Sequence, residues 1–438
     1  MPKTVLRISA LLACAMTFAP AAIAADKPII DTGDTAWLLV ATALVLMMNI
    51  PGLALFYAGM VRKKNVLATA VQAFAVAALV TVLWFMVGYS LAFSNGGDLN
   101  TVIGSLSRAF GRGLLGSTHE LAKTVPENVF LMYQATFAVI TPAIIAGAFA
   151  ERMKFSAMLW FMALWLLFVY VPVAHWVWGG GFLGAAGVLD FAGGLVVHLN
   201  AGIAGLVCCL VIGKRQGYGT EYMAPHNLVL TLVGTSLLWV GWFGFNAGSA
   251  LSSGELAGSA MLNTHISAAV AALTWMTIEW TSRGKPSVLG ILSGAVAGLG
   301  TITPAAGYVE PWAALVIGVA AGAACYWASV VLKNRLGYDD SLDVFGVHGV
   351  GGIVGSILVG VFATRVINDV HKGQPVGLVD GNGGQILTQL YGVAAVALFC
   401  AVATWIILKL VDAMVGLRVT RDEETEGLDT ALHGERVQ

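Results

Sequence analysis

Two histidines stand in matching frames within apolar stretches, His198-Leu-Asn-Ala-Gly-Ile-Ala-Gly and His348-Gly-Val-Gly-Gly-Ile-Val-Gly. Superposing them lays Gly202 on Gly352, Ile203 on Ile353 and Gly205 on Gly355. An aspartate precedes each, Asp190 and Asp343. A polar side chain in hydrocarbon is costly and faces a bundle interior. A recurring segment suggests an internally duplicated chain whose halves meet at a midplane site. Two imidazoles meeting there make a short polar island in an apolar bore. In contact, each fixes the other's tautomer, one nitrogen donating and the other accepting. An ordinary pKa of about 6.5 suits them to carry protons near neutrality. This chemistry points to transport.

The elements that must position the histidines are membrane helices. The 438 residues are 58% hydrophobic and 11% charged, where soluble domains carry about 25% charged residues. The 53 glycines allow close helix approach. A net charge of −1 leaves no footprint for nucleic acid. Cys14, Cys208, Cys209, Cys325 and Cys400 lack metal-ligand spacing and read as packing residues, so no metal or cofactor is expected. Residues 1–24 read as a cleavable signal peptide: Lys3 and Arg7, an apolar run, then Ala22-Ile23-Ala24.

Apolar runs long enough to cross a bilayer start near Trp37, Val66, Val129, Ser156, Phe191, Asn227, Leu262, Val288, Tyr308, Val344 and Ile386. The expected fold is therefore an all-α membrane protein of eleven transmembrane helices over residues 25–417. With the N-terminus outside, 15 of the 23 Lys and Arg fall on the cytoplasmic side, among them Arg62, Lys63, Lys64, Arg152, Lys214 and Arg215. That is the bias of an inner (plasma) membrane protein. Helices one to five and six to ten form two halves. Five spans per half is odd, so the repeat is inverted, and helix eleven is left to lie across the outside. Residues 418–438 form a polar cytoplasmic tail.

A cation pathway must meet a severe cost. Moving an ammonium-sized ion into a dry interior costs on the order of 20 kcal/mol in the Born limit, and a cation–π contact returns only about 0.5–2 kcal/mol. The chain has no carbonyl filter of the TVGYG kind and no acidic ring. A substrate able to shed a proton fits this inventory. Ammonium can do so; potassium and sodium cannot.

Three stretches carry a resemblance. They are Leu189-Asp190-Phe191-Ala192-Gly193-Gly194 with Val196-Val197-His198, Gly241-Trp242-Phe243-Gly244-Phe245-Asn246-Ala247-Gly248-Ser249, and Asp343-Val344-Phe345-Gly346-Val347-His348-Gly349. Together with Ile50-Pro51-Gly52 and Ala150-Glu151-Arg152, they resemble the Amt/Mep/Rh ammonium transporters, bacterial Amt proteins above all. The resemblance implies a homotrimer with one pore per subunit and control by a cytoplasmic PII signalling protein. It also implies roles. Trp178 and Ser249 resemble the outer-site residues that hold ammonium, and Phe137 the ring shared by that site and the gate. Phe245 resembles the second gating ring, His198 and His348 the paired pore histidines, and Asp190 the buried carboxylate near the outer site. Trp242 supports this constellation. Tyr133 stands where close relatives often have phenylalanine, which adds a hydroxyl near the mouth.

Read from the residues alone, several of these have structural alternatives. Aromatic residues in membrane helices are mostly packing or interface anchors. Asp190 and Asp343 each open a helix and could cap it, the capping reading leading for Asp343. Ser249 could bond its own helix backbone. His175 and His226 near span ends, and His119, His371 and His433 in loops or tail, read as solvated or structural, and His265 has no repeat partner. Other functions are less favoured. A sensor would need an output domain beyond the short tail. A hydrolase would need a Gly-x-Ser-x-Gly or paired zinc motif, and neither is present. A neutral-gas channel would have no use for an outer cation site.

Overall fold

The computed structural model describes residues 29–437; the expected signal peptide lies outside them. Eleven helices among the described residues form the bundle. Ten are long and apolar enough to cross a membrane: α1 (Thr32–Met60), α2 (Lys63–Phe93), α3 (Glu127–Phe149), α4 (Phe155–Ala185), α5 (Gly194–Ile212), α6 (Leu228–Gly248), α7 (Glu255–Arg283), α9 (Pro311–Leu336), α10 (Phe345–Phe362) and α11 (Gly384–Val415). The shorter α8 spans Val288–Ile302. The connections place residues 29–31, 94–126 and 363–383 on one face of the bundle. Residues 61–62, 150–154, 213–227, 337–344 and the C-terminal tail lie on the other, called here the tail face.

Helix starts follow their capping chemistry. Asp31 accepts the Asp34 N–H at 2.8 Å, Asn227 accepts those of Val229 and Leu230, and Ser287 that of Gly290. Pro311 sits in the first turn of α9, where its missing N–H costs nothing. On the tail, Thr420 and Glu423 form a reciprocal capping box that opens α12 (Arg421–Glu426), and α13 (Leu428–His433) follows. Two short strands, β1 (Thr118–His119) and β2 (Ala122–Pro126), pair in the loop before α3.

Two features depart from the sequence expectation. Helix α7 begins at Glu255, seven residues before the start near Leu262. Helix α8 is only 15 residues, roughly 22 Å at 1.5 Å per residue. Its span is completed by irregular chain in which Thr303, Ala305 and Ala306 are buried. Non-helical backbone at this depth is tolerated only inside protein, and here it seats the site. The Phe191 N–H, just ahead of α5, donates to the Pro304 carbonyl at 3.1 Å. On the opposite face the Ser341 N–H, just ahead of α10, donates to Ala148 at the end of α3. The two halves thus repeat the same arrangement upside down. Helix α11 packs on α4, α5 and α10 and keeps most of its surface exposed.

Candidate functional site

The histidines meet. His198 Nδ1 lies 3.2 Å from His348 Nδ1, with the rings stacked at 12° and centroids 5.3 Å apart. Both are buried. Each sits in a π-helical turn opening its helix, Gly194–Leu199 in α5 and Phe345–Gly349 in α10; such turns concentrate at functional sites. The matched glycines permit the crossing. A Cβ at Gly202 would overlap the Gly349 backbone, and one at Gly352 would stand 2.6 Å from the Leu199 nitrogen. Two antiparallel helices therefore touch backbone to backbone where the imidazoles project.

A file of rings leads to this pair from the face opposite the tail. Trp178 meets Phe137 edge-on at 6.0 Å, and Phe137 lies 4.3 Å from Phe245. Phe245 lies 6.0 Å from His198. Phe137 and Phe245 are 1% exposed, so they close the file, whereas Trp178 is partly open to a polar cavity on the face opposite the tail. That cavity, of about 490 Å³, is also lined by Asn100, Arg108, His119 and Glu127. Below Phe245, the centre of a water-sized molecule has about 10 Å³ between His198, His348, Trp242, Leu53 and Ile140. One water needs about that much.

Each ring is held by its neighbours. Trp178 Nε1 donates to the Asp190 carbonyl at 2.8 Å, and Trp242 stacks on His198 at 15° while donating to Thr303 Oγ1 at 3.0 Å. The Asp190 carboxylate accepts four backbone N–H groups, from Gly193, Gly194, Leu195 and Val196. It takes the capping geometry in full. Ser249 Oγ donates to the Phe245 carbonyl at 2.9 Å, the backbone bond that sequence allowed.

Two sequence expectations need correction. Tyr133 does not present a free hydroxyl at the mouth. Its Oη is buried and donates to the Phe245 carbonyl at 2.8 Å, with Ser249 Oγ 3.3 Å away. Asp343 does not cap α10 either. It stands at φ 60° in an ion pair with Lys333, and the Phe345 N–H is accepted by Asp340 at 2.7 Å. The true counterpart of Asp190 is therefore Asp340, eight residues before its histidine as Asp190 is before His198. His175 takes the structural one of its two readings: its ring nitrogens lie 2.8 and 2.7 Å from the carbonyl oxygens of Ala92 and Asn100, fixing the turn that carries Trp178. His265 is exposed on α7 and accepts from Trp239 Nε1 at 3.3 Å.

On the tail face, sequence missed a charged network. Glu151 takes Arg62 and Arg215 at 2.9 and 3.1 Å, and Arg215 also pairs with Asp339 at 2.8 Å. Arg152, fully buried, donates to the carbonyls of Gly213, Ala150, Ala148 and Asp339 and to Ser341. Burial works against the charge of Glu151, yet Arg215 and Arg62 hold its carboxyl below the usual carboxylate range. The tail docks on the same layer. Asp429 accepts the Ala68 N–H, and Glu424 pairs with Arg418 and accepts the Gln216 N–H.

These features define an all-helical membrane protein built of two inverted halves around a buried pair of imidazoles. The family model described as "Ammonium Transporter Family" matches residues 36–438. An ammonium transporter of Bacillus subtilis (strain 168) is 48% identical over 405 residues, which is 92% of this chain and 98% of that protein. Among solved structures, Saccharomyces cerevisiae Mep2 aligns with a TM-score of 0.84 at 38% identity, over 90% of this chain and 89% of that one. A structure described as a Sensor Amt Protein aligns with a TM-score of 0.84 at 27% identity, over 92% and 98%. The chain belongs to the ammonium transporter family. It is an ammonium transporter of the Amt/Mep kind, and not an enzyme.

Proposed function

We propose that ammonium is recruited at Trp178, Phe137 and Ser249, loses its proton at the Phe137–Phe245 closure, and crosses the dry segment past His198 and His348 as ammonia. The proton follows along the imidazole pair. The observation that carries this reading is the 3.2 Å Nδ1–Nδ1 contact directly beneath the two phenylalanines. That contact requires one nitrogen to donate and the other to accept, so a proton delivered to one ring has a ready acceptor in the other. The test is His198→Ala with His348→Ala in proteoliposomes. Selective ammonium flux and its current should vanish while the protein stays folded; unchanged flux with unchanged selectivity rejects the role. A measurable flux also separates a transporter from a sensor that only binds.

The tail face is the cytoplasmic one on this reading, since it gathers Arg62, Arg152, Lys214, Arg215 and Arg418, and the membrane is the inner (plasma) membrane. The assembly is a homotrimer. Exposed His265 with its Trp239 bond in the apolar flank of α7 supports this, because a polar ring facing lipid is costly and a subunit contact would cover it. A PII signalling protein would reach the docked tail and the Lys214–Asn227 loop, where Tyr222 stands 91% exposed.

A further inference from the structure

Asp190 and Asp340 hold equivalent places in the two halves, but their oxygens do not. All four N–H contacts saturate Asp190. Asp340 Oδ2 accepts from Phe345, whereas its Oδ1 is buried with no partner. The residue is 1% exposed. The Lys333 ammonium reaches the Asp340 carbonyl at 3.3 Å and pairs with Asp343. Tyr338 stands close by with its hydroxyl also unpartnered, and Tyr57 and Cys209 face the group from α1 and α5. One half of the repeat thus ends in a fully bonded carboxylate and the other in one free to take a proton.

We propose that Asp340 is a positioning residue for proton transfer, its charge governing how readily His348 accepts a positive charge. The inference rests on the proton relay proposed above. The N-terminus of α10 carries about half a unit of positive charge, which opposes an imidazolium at His348 in its first turn. An ionised Asp340 offsets that field; a protonated one does not. The Asp340 carboxylate binds the Phe345 N–H, three helical residues or roughly 4.5 Å of axial rise before His348; with both side chains added, a separation of about 12 Å lets one unit charge change proton affinity about tenfold at an effective dielectric of about 20. Burial and then the Asp343 charge push the Asp340 carboxyl up to about 6, against the pull of Lys333 and the Phe345 N–H.

The experiment measures ammonium-evoked current of the full chain in proteoliposomes at symmetric pH between about 5 and 8. The wild-type current should fall about tenfold as pH drops through about 6. Asp343→Asn should move that midpoint down and Lys333→Gln should move it up, because each removes one of the charges acting on Asp340. Asp340→Asn, whose amide oxygen can still accept the Phe345 N–H, should give the low current at every pH. If that variant does not fold, the two neighbours, which leave Asp340 in place, decide alone. A midpoint unmoved in both, or a wild-type transition surviving in Asp340→Asn, overturns the inference. A wild type that transports without current overturns the relay as well, so the two failures are distinguishable.

Discussion

Replacing Asp190 separates two jobs that one carboxylate could do. As a cap it binds four N–H groups at 2.6–3.1 Å where it is itself 4% exposed. Water cannot replace it there, so Asp190→Ala should cost about 4 kcal/mol, near 1 kcal/mol for each N–H left unpaired. Asp190→Asn keeps one oxygen and turns an NH₂ group toward the other two N–H groups, which should cost about 2 kcal/mol. As a charge, Asp190 would act on the cation proposed to bind at Trp178, whose indole bonds its carbonyl. At roughly 8 Å and an effective dielectric of about 20, that is worth ~2 kcal/mol, or about thirtyfold in ammonium affinity. The assay pairs thermal unfolding in detergent with the half-saturating ammonium concentration of proteoliposome currents. Asp190→Asn should lose about half the stability that Asp190→Ala loses, yet nearly the same affinity. An Asp190→Asn protein with affinity within threefold of wild type would leave only the cap. Full stability in Asp190→Ala would refute the capping account too.

Other perturbations follow from the same geometry. Tyr133→Phe removes a bond to the Phe245 carbonyl that Ser249 still satisfies; stability should fall by about 1 kcal/mol in thermal unfolding, with ammonium affinity little changed. Gly202→Ala should force α5 from α10 at the Gly349 backbone. It should cost about 1–3 kcal/mol by overpacking and sharply reduce flux, read by current and unfolding together. Glu151 has a depressed carboxyl, so its stabilising contribution is complete above its ordinary value of 4.5 and is lost as pH falls through the lower folded value. Acid titration should therefore destabilise the wild type below about pH 4.5. Glu151→Gln should be less stable by about 3 kcal/mol at neutral pH, with the arginines left buried, and should lack that acid transition.

Much of this was legible because membrane helices advertise themselves. Lipid forces each span to be a long apolar run, so all eleven spans could be read from composition and turns. Where α8 stops short, sequence could not show it: Pro304 and the glycines around it are compatible with a kinked continuous helix. What decides is the burial of the Thr303–Tyr308 chain against Phe191. The imidazole pair was legible from the repeat itself, since Gly202 and Gly352 are needed only if two helices cross there. The aromatic file was legible through resemblance rather than through physics, as a phenylalanine in a membrane helix has no distinguishing pattern. Asp340 was missed because Asp343 stands in a resembling motif, although the eight-residue spacing of Asp190 from His198 pointed to it. The Arg152 and Glu151 network was hidden for a different reason. Charges near helix ends usually signal topology, and nothing in their spacing shows that four connections converge there.

On the proposed pathway, the closure at Phe137 and Phe245 would account for selectivity without a fitted cage. A bare alkali ion would face the Born cost of about 20 kcal/mol. Three rings, Trp178, Phe137 and Phe245, could return at most about 6 kcal/mol. The shortfall exceeds about 10 kcal/mol, a rate penalty of more than a millionfold. Space for one water-sized molecule beneath Phe245 leaves no room for a hydration shell to travel with the ion. A neutral ammonia molecule escapes both limits, because it leaves its charge behind and needs only one hydrogen-bond partner at a time. On this reading the dryness of the segment is the filter, and the imidazoles are what make dryness compatible with moving a proton. It follows that a polar substitution widening the void, such as Leu53→Ser, should admit water and weaken discrimination against potassium while ammonium flux persists.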